Sequence, residues 1–339
     1  MKQNVQVISR KLSASFSVLG IAAIAAYVMA MVPPLSTGGS SWLWQVAQAP
    51  AQMFVAVTPA ERSGMLLVAP PSRAQLQNQF EALEYSLTSV RAGAAVPRLY
   101  LRALPSDLEQ DTSPAERKLT FLRTMLPLVL SENDKILADR HRLQRLSQKL
   151  RTKVLLGASD YDWVLRIAAE YGMPNFNPYS TRSADWKLLL GRVDAVPPSL
   201  ALAQAAVESG WGTSRFAQHG NAVFGQWAWG EDDGIAPRER EADAQHTVRS
   251  FTRLSDSVHA YLRNLNTHGH YNKLRDRRAE VRKAGKTPGG FDLARFVDRY
   301  SIGGKKYVAD LREVMEINTL RPLDSAKLRP ASEFKLSSL

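Results

Sequence analysis

The fold is indicated most clearly by one stretch past the middle of the 339-residue chain, Pro198-Ser-Leu-Ala-Leu-Ala-Gln-Ala-Ala-Val-Glu-Ser-Gly-Trp-Gly212. Proline in the first turn and glycine after the last apolar residue are typical boundaries of an α-helix. The stretch therefore predicts a helix that starts at Pro198 or Ser199 and ends at Ser209-Gly210. Glu208 falls in its last turn.

Glu208 occupies a position that disfavours a charged carboxylate. The C-terminal end of a helix carries a partial negative charge, and the helical neighbours Ala201, Gln204 and Ala205 offer no compensating cation. We therefore expect the pKa of Glu208 to lie above its usual value. A carboxyl group that keeps its proton near neutral pH suits the general acid of a glycosidase, whereas a solvated Glu at a frayed helix end has no such role.

Outward from this helix, the sequence predicts a mainly α fold. Ser113-Pro-Ala-Glu116 carries the start signals of a long helix, which Pro127 should kink or split. The segment from Gln226 to Phe251 is rich in Gly and Trp and predicts a short hairpin or a mobile loop. Further helices are predicted at Ala74–Val90, at Asp160–Tyr171 with Ser159 as its cap, at Ser183–Gly191, and around Val258–Leu265, Leu293–Tyr300 and Val308–Met315.

The N-terminus predicts export from the cytoplasm. A basic flank precedes an uncharged, apolar stretch from Leu12 to Pro34, as in a signal peptide, and that stretch is also long enough to span a bilayer. A cleaved signal and a retained inner-membrane anchor both remain open. We expect the protein in the cell envelope, in the periplasm. We divide the chain into the export segment 1–34, a linker and weakly defined lead-in 35–112, a catalytic domain 113–322 and a C-terminal tail 323–339.

The amino-acid composition favours some classes of partner and excludes some kinds of catalytic group. The chain has 44 Lys and Arg against 32 Asp and Glu, a formal net charge of +12 that favours polyanionic partners. Because Cys is absent, disulfides, thiolate zinc sites and Cys nucleophiles are excluded. The histidines form no His-Glu-x-x-His motif and no phosphate-binding Gly-rich loop occurs, so we expect neither a metal nor a cofactor. No recognised nucleic-acid-binding module accompanies the charge, and we expect no nucleic-acid partner.

One basic stretch leaves two interpretations open. Lys273 to Lys286 holds seven basic residues against Asp276 and Glu280. The stretch either contacts an anionic wall polymer or membrane surface, or forms an ordinary solvated surface, which is the interpretation we favour.

Several motifs together carry a family resemblance. The run Ala203 to Gly212, followed by Ser214, Ala217, Asn221 and Phe224-Gly225, resembles the glucosaminidase family of peptidoglycan hydrolases. The segments Tyr261–His268 and Phe296–Leu311 are similar to those of its bacterial Bax-type members. The resemblance covers about Asp160 to Leu320. It implies a lysozyme-like α+β glucosaminidase domain with a small, flexible, partly β lobe.

The resemblance also implies an activity. Members of the family hydrolyse the β-1,4 bond after N-acetylglucosamine in peptidoglycan, and the residue that matches their catalytic acid is Glu208. A second carboxylate is expected from the β lobe, with Glu239 as first choice and Glu241 as second; both could instead be surface charges beside Arg238 and Arg240. Alternatively, the acetamido group of the substrate acts as the nucleophile.

Other candidate residues come from the same motifs. Tyr300 is placed to hold the acetamido group, or else completes the apolar face of its helix. Indole rings suit the faces of sugars, although Trp211 is equally suited to the core. The predicted substrate-binding residues are Trp211, Asn221, Phe224, Gly225, Trp227 and Trp229.

Two other functions remain open at this point. A lytic transglycosylase or muramidase has a similar fold and one catalytic Glu, but the run Asn221-Ala-Val-Phe-Gly225 differs from the usual transglycosylase run. A non-catalytic peptidoglycan-binding protein would also be basic and exported. In each case the expected partners are peptidoglycan strands and, if the N-terminal segment is uncleaved, the inner membrane. The sequence does not define the oligomeric state.

Overall fold

The computed structural model describes residues 66–68, 72–110, 113–180, 183–229, 234–235 and 246–330, which belong to one compact unit. The predicted export segment 1–34 and most of the predicted tail lie outside these residues. Within the described ranges, no helix has both the length and the apolar character needed to cross a bilayer.

Helices dominate the described chain, and its short strands form two small, separate sheets. The helices are α1 (Arg73–Ala82), α2 (Leu87–Arg91), α3 (Pro114–Arg151), α4 (Ala158–Glu170), α5 (Ser183–Arg192), α6 (Pro198–Ser209), α7 (Arg215–Gly220), α8 (Leu254–Thr267), α9 (Asn272–Lys283), α10 (Gly290–Leu293) and α11 (Gly304–Ile317). The strands are β1 (Leu66–Val68), β2 (Leu99–Leu101), β3 (Trp227–Trp229), β4 (Gly234–Ile235) and β5 (His246–Arg249). β1 pairs with β2 in parallel, and β5 pairs antiparallel with β3 and β4 on its two sides. The predicted mainly α, lysozyme-like class with a partly β lobe is confirmed.

Helix α6 is the centre of the core. Every residue from Pro198 to Ala206 is buried, and the helix packs against α3, α10 and α11. Its small side chains permit close approach: a Cβ on Gly290 would stand 2.6 Å from the backbone nitrogen of Leu200. The predicted boundaries of this helix are confirmed, with Gly210 in the left-handed conformation just after its end.

A distant carboxylate satisfies the start of α6. Pro197, the residue before the helix, has no side chain that can accept a hydrogen bond, so the first backbone N–H groups need another partner. Asp324 supplies it: its Oδ1 accepts from the Ser199 backbone at 2.8 Å, and its Oδ2 accepts from the Ser199 hydroxyl and from the Gly290 backbone, each at 2.9 Å. The segment after α11 thereby anchors α6, although Asp324 falls in the predicted tail.

The long helix α3 begins as predicted but is not split. Ser113 accepts a hydrogen bond from the Glu116 backbone at 3.2 Å, and the helix continues unbroken through Pro127. Proline has no N–H to donate to the carbonyl four residues earlier, that of Arg123. The buried Tyr85 hydroxyl donates to this carbonyl at 3.2 Å. The lost backbone bond is thus replaced from outside the helix.

The lead-in before α3 is better ordered than its sequence suggests. The predicted helix Ala74–Val90 is two helices, α1 and α2, with a turn at Glu84 in the left-handed region (φ 50°). Leu76 and Phe80 of α1 are fully buried in the core that also contains α3. The domain boundaries of the chain stay predictions.

Two other helical predictions need correction. Helix α4 starts at Ala158, with Gly157 rather than Ser159 at the cap position. The predicted helix Leu293–Tyr300 is only a short α10 and a 3-10 turn that ends at Phe296. The apolar spacing that suggested a longer helix reflects burial of Leu293 and Val297 in the core, which irregular backbone also achieves.

The replacement bond at Pro127 predicts a specific pattern of stability. Tyr85→Phe should lower the free energy of unfolding by about 1 kcal/mol, because the Arg123 carbonyl loses its partner. In a Pro127→Ala background the alanine N–H can donate to that carbonyl, so the same Tyr85→Phe change should cost less. Urea unfolding of the four proteins measures both effects, and equal costs in the two backgrounds would contradict the role of Tyr85.

Candidate active site

A cleft of about 1120 Å³ contains the end of α6. Glu208 and Gly225 lie on one side of it, and residues of α8 and the segment from Arg299 to Ile302 form much of the rest. The cleft is partly open to solvent and therefore accessible to a ligand.

Glu208 is half-buried in this cleft and makes one short hydrogen bond. The Tyr307 hydroxyl donates to Oε1 of Glu208 at 2.7 Å. Burial raises the pKa of Glu208 above that of an ordinary Glu, while the bond from Tyr307 acts in the opposite direction. The predicted rise of this pKa is confirmed, and its main cause is desolvation.

A buried amide fixes the direction of that hydrogen bond. Nε2 of Gln204 donates to the Tyr307 hydroxyl at 3.0 Å, and its Oε1 accepts from the Tyr261 hydroxyl at 2.8 Å. With one donor already engaged on its oxygen, the Tyr307 hydroxyl directs its proton to Glu208. We call this chain of Tyr261, Gln204, Tyr307 and Glu208 the polar relay.

Sequence reasoning missed the two central members of the polar relay. Gln204 precedes Glu208 by four residues and so lies on the same face of α6, which is a signal that the sequence does contain. Tyr307 comes from α11, and its approach to Glu208 depends entirely on the packing of α11 against α6.

Phe224 and Gly225 place backbone beside the carboxylate. Gly225 adopts a left-handed conformation (φ 60°), and a Cβ there would stand 3.1 Å from Oε2 of Glu208. The Phe224 ring is fully buried and stacks on Tyr261, with 3.9 Å between ring centroids and 7° between their planes. Phe224 thus supports the cleft through its backbone, and its side chain is not accessible to a ligand.

Tyr300 lines the cleft and packs beside other tyrosine rings, but it follows the 3-10 turn and does not lie on the predicted helix. Its ring lies parallel to that of Tyr307, with centroids 6.1 Å apart. Its hydroxyl donates to the Phe224 carbonyl at 2.7 Å. Burial raises the pKa of Tyr300 well above its usual value, so the hydroxyl stays neutral and its oxygen keeps the capacity to accept a hydrogen bond.

The remaining candidates are not brought together around Glu208. Trp211 does not line the cleft within the described residues; it packs edge-on against Phe121, with Lys118 over its ring. Asn221 takes a left-handed conformation and donates to the Phe251 carbonyl at 3.0 Å, so it shapes the turn after α7. The backbones of Trp227 and Trp229 form β3, but their side chains, and all of Glu239 and Glu241, lie outside the described residues.

The lining of the cleft is rich in cationic and imidazole groups. His259 lines the cleft and contacts Oε2 of the buried Glu132 through Nδ1 at 3.2 Å, an ion pair that raises the pKa of His259. His268 and His270 are exposed neighbours that also line the cleft. Among the residues placed by the structure, no cluster of three or more His, Asp or Glu could hold a metal ion.

The part of the chain that contains this cleft is similar in sequence to known proteins. Residues 188–320 match the family model Glucosaminidase, described as mannosyl-glycoprotein endo-beta-N-acetylglucosaminidase. The chain is also similar to Protein bax of Escherichia coli (strain K12), with 33% identity over 224 residues that cover 66% of this chain and 74% of that protein. No solved structure matched. The matched region includes the whole polar relay.

The polar relay predicts how the pKa of Glu208 responds to mutation. Tyr307→Phe removes the donor to Oε1, so the pKa of Glu208 should rise further, because the bond stabilises the charged carboxylate. Carbon-detected NMR titration, with the Glu208 signal identified by its loss in Glu208→Gln, measures the change. Tyr171→Phe removes a buried hydroxyl whose charged neighbours include no member of the relay, and it should leave this pKa unaltered. A fall in the pKa after Tyr307→Phe would contradict the arrangement.

Proposed function

This chain belongs to the glucosaminidase family, as a Bax-type member, and on that premise we propose that it hydrolyses the β-1,4 bond after N-acetylglucosamine in peptidoglycan. In this proposal it is an endo-β-N-acetylglucosaminidase with Glu208 as general acid. The observation that carries the proposal is a half-buried carboxyl in an open cleft, with a raised pKa and one oxygen held by Tyr307.

The two oxygens of Glu208 support a division of roles. Oε1 accepts the Tyr307 proton, which favours Oε2 as the atom that carries the acidic proton. The absence of a side chain on Gly225 leaves room beside Oε2. Glu208 protonates the glycosidic oxygen as the bond to C1 breaks, and the sugar leaves with its new hydroxyl group.

The polar relay is compatible with both the protonated and the charged form of Glu208. Before proton transfer, burial favours the protonated carboxyl, since desolvation disfavours its charged form. After transfer, the Tyr307 hydroxyl donates to a full carboxylate, a stronger hydrogen bond than one to a neutral carboxyl. The relay therefore stabilises the charge that develops on Glu208 during the reaction.

A second group must act at the opposite face of the sugar ring. Glu239 or Glu241 orients the attacking water in one version of the mechanism. In the other, the acetamido carbonyl of the substrate attacks C1, and water later opens the resulting ring. Tyr300 fits the second version, because its hydroxyl oxygen can accept from the acetamido N–H while it donates to Phe224.

Cell location is part of the same proposal. The apolar segment 12–34 would carry the chain out of the cytoplasm, as a cleaved signal or as an anchor in the inner membrane. The catalytic domain then meets peptidoglycan in the periplasm.

Loss of the acid should abolish the reaction. Glu208→Gln should reduce the release of reducing ends from purified sacculi by about 100-fold or more, because an amide cannot donate the required proton. Mass spectrometry of the products tests the bond: we expect reducing N-acetylglucosamine ends. Reducing muramic ends or anhydro ends would instead identify a muramidase or a lytic transglycosylase.

The stability of the Glu208→Gln variant shows whether a loss of activity is due to unfolding. Because the folded pKa of Glu208 lies above its unfolded value, this residue costs stability as pH rises through that interval. Glu208→Gln should therefore be at least as stable as the unaltered protein at neutral pH. If the stable variant keeps full activity, or if the unaltered protein releases no sugar, the proposed enzyme function is wrong.

The pH profile provides an independent prediction. Activity requires protonated Glu208, so kcat/KM should persist above the usual pKa of Glu and fall as pH rises through the raised value. Tyr307→Phe should move this descending limb to higher pH, while it lowers the maximal rate. Initial rates on soluble glycan fragments measure both, and a limb that moves to lower pH would disagree with the role of Tyr307.

A further inference from the structure

A second recess lies between the middle of α3 and the end of α9, away from Glu208. It has a volume of about 580 Å³, and none of its lining residues also lines the cleft. Half of the ten lining residues are basic or imidazole side chains, and no acidic residue lines it among those that the structure describes. We call this recess the basic groove, and these five residues are Arg140, His141, Arg282, Lys283 and Lys286.

Beneath the basic groove, one carboxylate faces three guanidinium groups. Oδ2 of the buried Asp194 lies 2.7 Å from Arg282, 3.6 Å from Arg278 and 3.7 Å from Arg140. One negative charge neutralises only one of the three cations. Lys283 and Lys286 at the rim add further positive charge, so the groove has a concentrated positive potential.

Two of these arginines, Arg140 and Arg278, have a structural role. Arg278 donates to the carbonyls of Gly191, Asp194 and Ala195, and Arg140 donates to those of Leu190 and Val193. These bonds hold the loop between α5 and α6. They explain why Arg140 and Arg278 are present, but they do not neutralise the remaining charge.

Other hydrogen-bond donors of the basic groove, on Arg282, Lys283 and Lys286, do not hold the loop between α5 and α6 in this way. Arg282 engages Asp194 only through Nε. No hydrogen bond or ion pair occupies its terminal nitrogens, or the ammonium groups of Lys283 and Lys286, anywhere in the part of the chain that the structure describes. Burial and the surrounding arginines lower the pKa of Arg278 to about 10, opposed by Asp194, which agrees with an excess of positive charge. An anion in the groove would relieve this excess.

The structure corrects our interpretation of the stretch Lys273–Lys286 as ordinary solvated surface. Arg275 and Arg278 are buried, and Arg282, Lys283 and Lys286 converge on one concave site. Guanidinium groups pair with carboxylates in a fixed, two-pronged geometry, and Gln144 and Thr287 add neutral groups suited to peptide bonds.

We propose that the basic groove is a second, non-catalytic site that binds the carboxylate-bearing peptide stems of peptidoglycan. This inference rests on the proposed function, because it assumes the same polymer in the cleft. A membrane surface fits the groove poorly: its apolar lining is limited to the half-buried Leu137 and Ala279, which cannot insert into lipid. Strongly exposed apolar residues such as Leu155 and Ile302 lie outside it.

Helix α3 connects the two sites. Glu132 contacts His259 on the cleft wall, and Arg140 lies eight residues further along the same helix, or roughly 12 Å by helix rise. The proposal requires that one strand with its stems reach both sites. A second attachment point raises the local concentration of substrate at the cleft, so the groove should strengthen binding to the polymer without taking part in bond cleavage.

The test uses the full chain carrying Glu208→Gln, so that sacculi bind without being digested. Adding Lys283→Gln and Lys286→Gln should weaken co-sedimentation with purified sacculi by about five- to tenfold, through the loss of two exposed charge contacts. The matched control adds Lys153→Gln and Lys327→Gln, which remove the same charge from exposed lysines outside the groove, and should leave binding unchanged. Sacculi whose carboxyl groups have been amidated should bind the parent and the groove variant equally weakly.

Several outcomes would overturn the inference. These are equal losses in the groove and control variants, undiminished binding of the parent to amidated sacculi, no binding of the parent to native sacculi, or a loss confined to anionic lipid vesicles. Release of reducing ends by the protein with its native Glu208 is measured in parallel. Normal release together with normal binding by the groove variant would reject only the groove; absence of release would reject the proposed function.

Discussion

Burial of helix α6 from Pro198 to Ala206 imposes the main constraint on this fold. A helix surrounded by protein must find partners for each polar group that it brings into the core. Asp324 supplies one at the start of the helix, and Tyr261 and Tyr307 supply partners for Gln204 in its interior. Each partner comes from a distant part of the chain, so α6 also determines how α8, α11 and the C-terminal segment are placed.

The same burial generates the chemistry at the other end of α6. The last turn emerges at the cleft, where Glu208 is only half-buried and close to Gly225. Incomplete burial is enough to raise its pKa but still leaves one oxygen within reach of a substrate. A carboxyl in this environment costs the fold some stability, as is common for groups whose function requires an unfavourable environment. The proposed catalytic role of Glu208 and its unfavourable position therefore have one physical origin.

Positive charge is organised around the same helix. Arg140 and Arg278 secure the loop that leads into α6, and in doing so they gather more positive charge than Asp194 can neutralise. The excess faces a groove on a surface separate from the cleft. A requirement of the fold thus provides the electrostatic basis of the proposed second binding surface, in a protein whose overall charge already favours anionic polymers.

Features that depend on near neighbours can be predicted from the amino-acid sequence: the boundaries of α6, the start of α3 at Ser113 and the place of Glu208 in a last helical turn. Caps, helix-ending glycines and helical spacing act over a few residues, so they can be recognised without a fold. Three other features follow from tertiary packing: α3 passes unbroken through Pro127, Arg278 is buried, and Tyr307 contacts Glu208. Those outcomes depend on groups 12 to 99 residues apart in sequence, such as Tyr85 with Arg123, Arg278 with Asn266 and Tyr307 with Glu208. Such pairs meet only after the helices have packed, because no local preference of the chain brings them together.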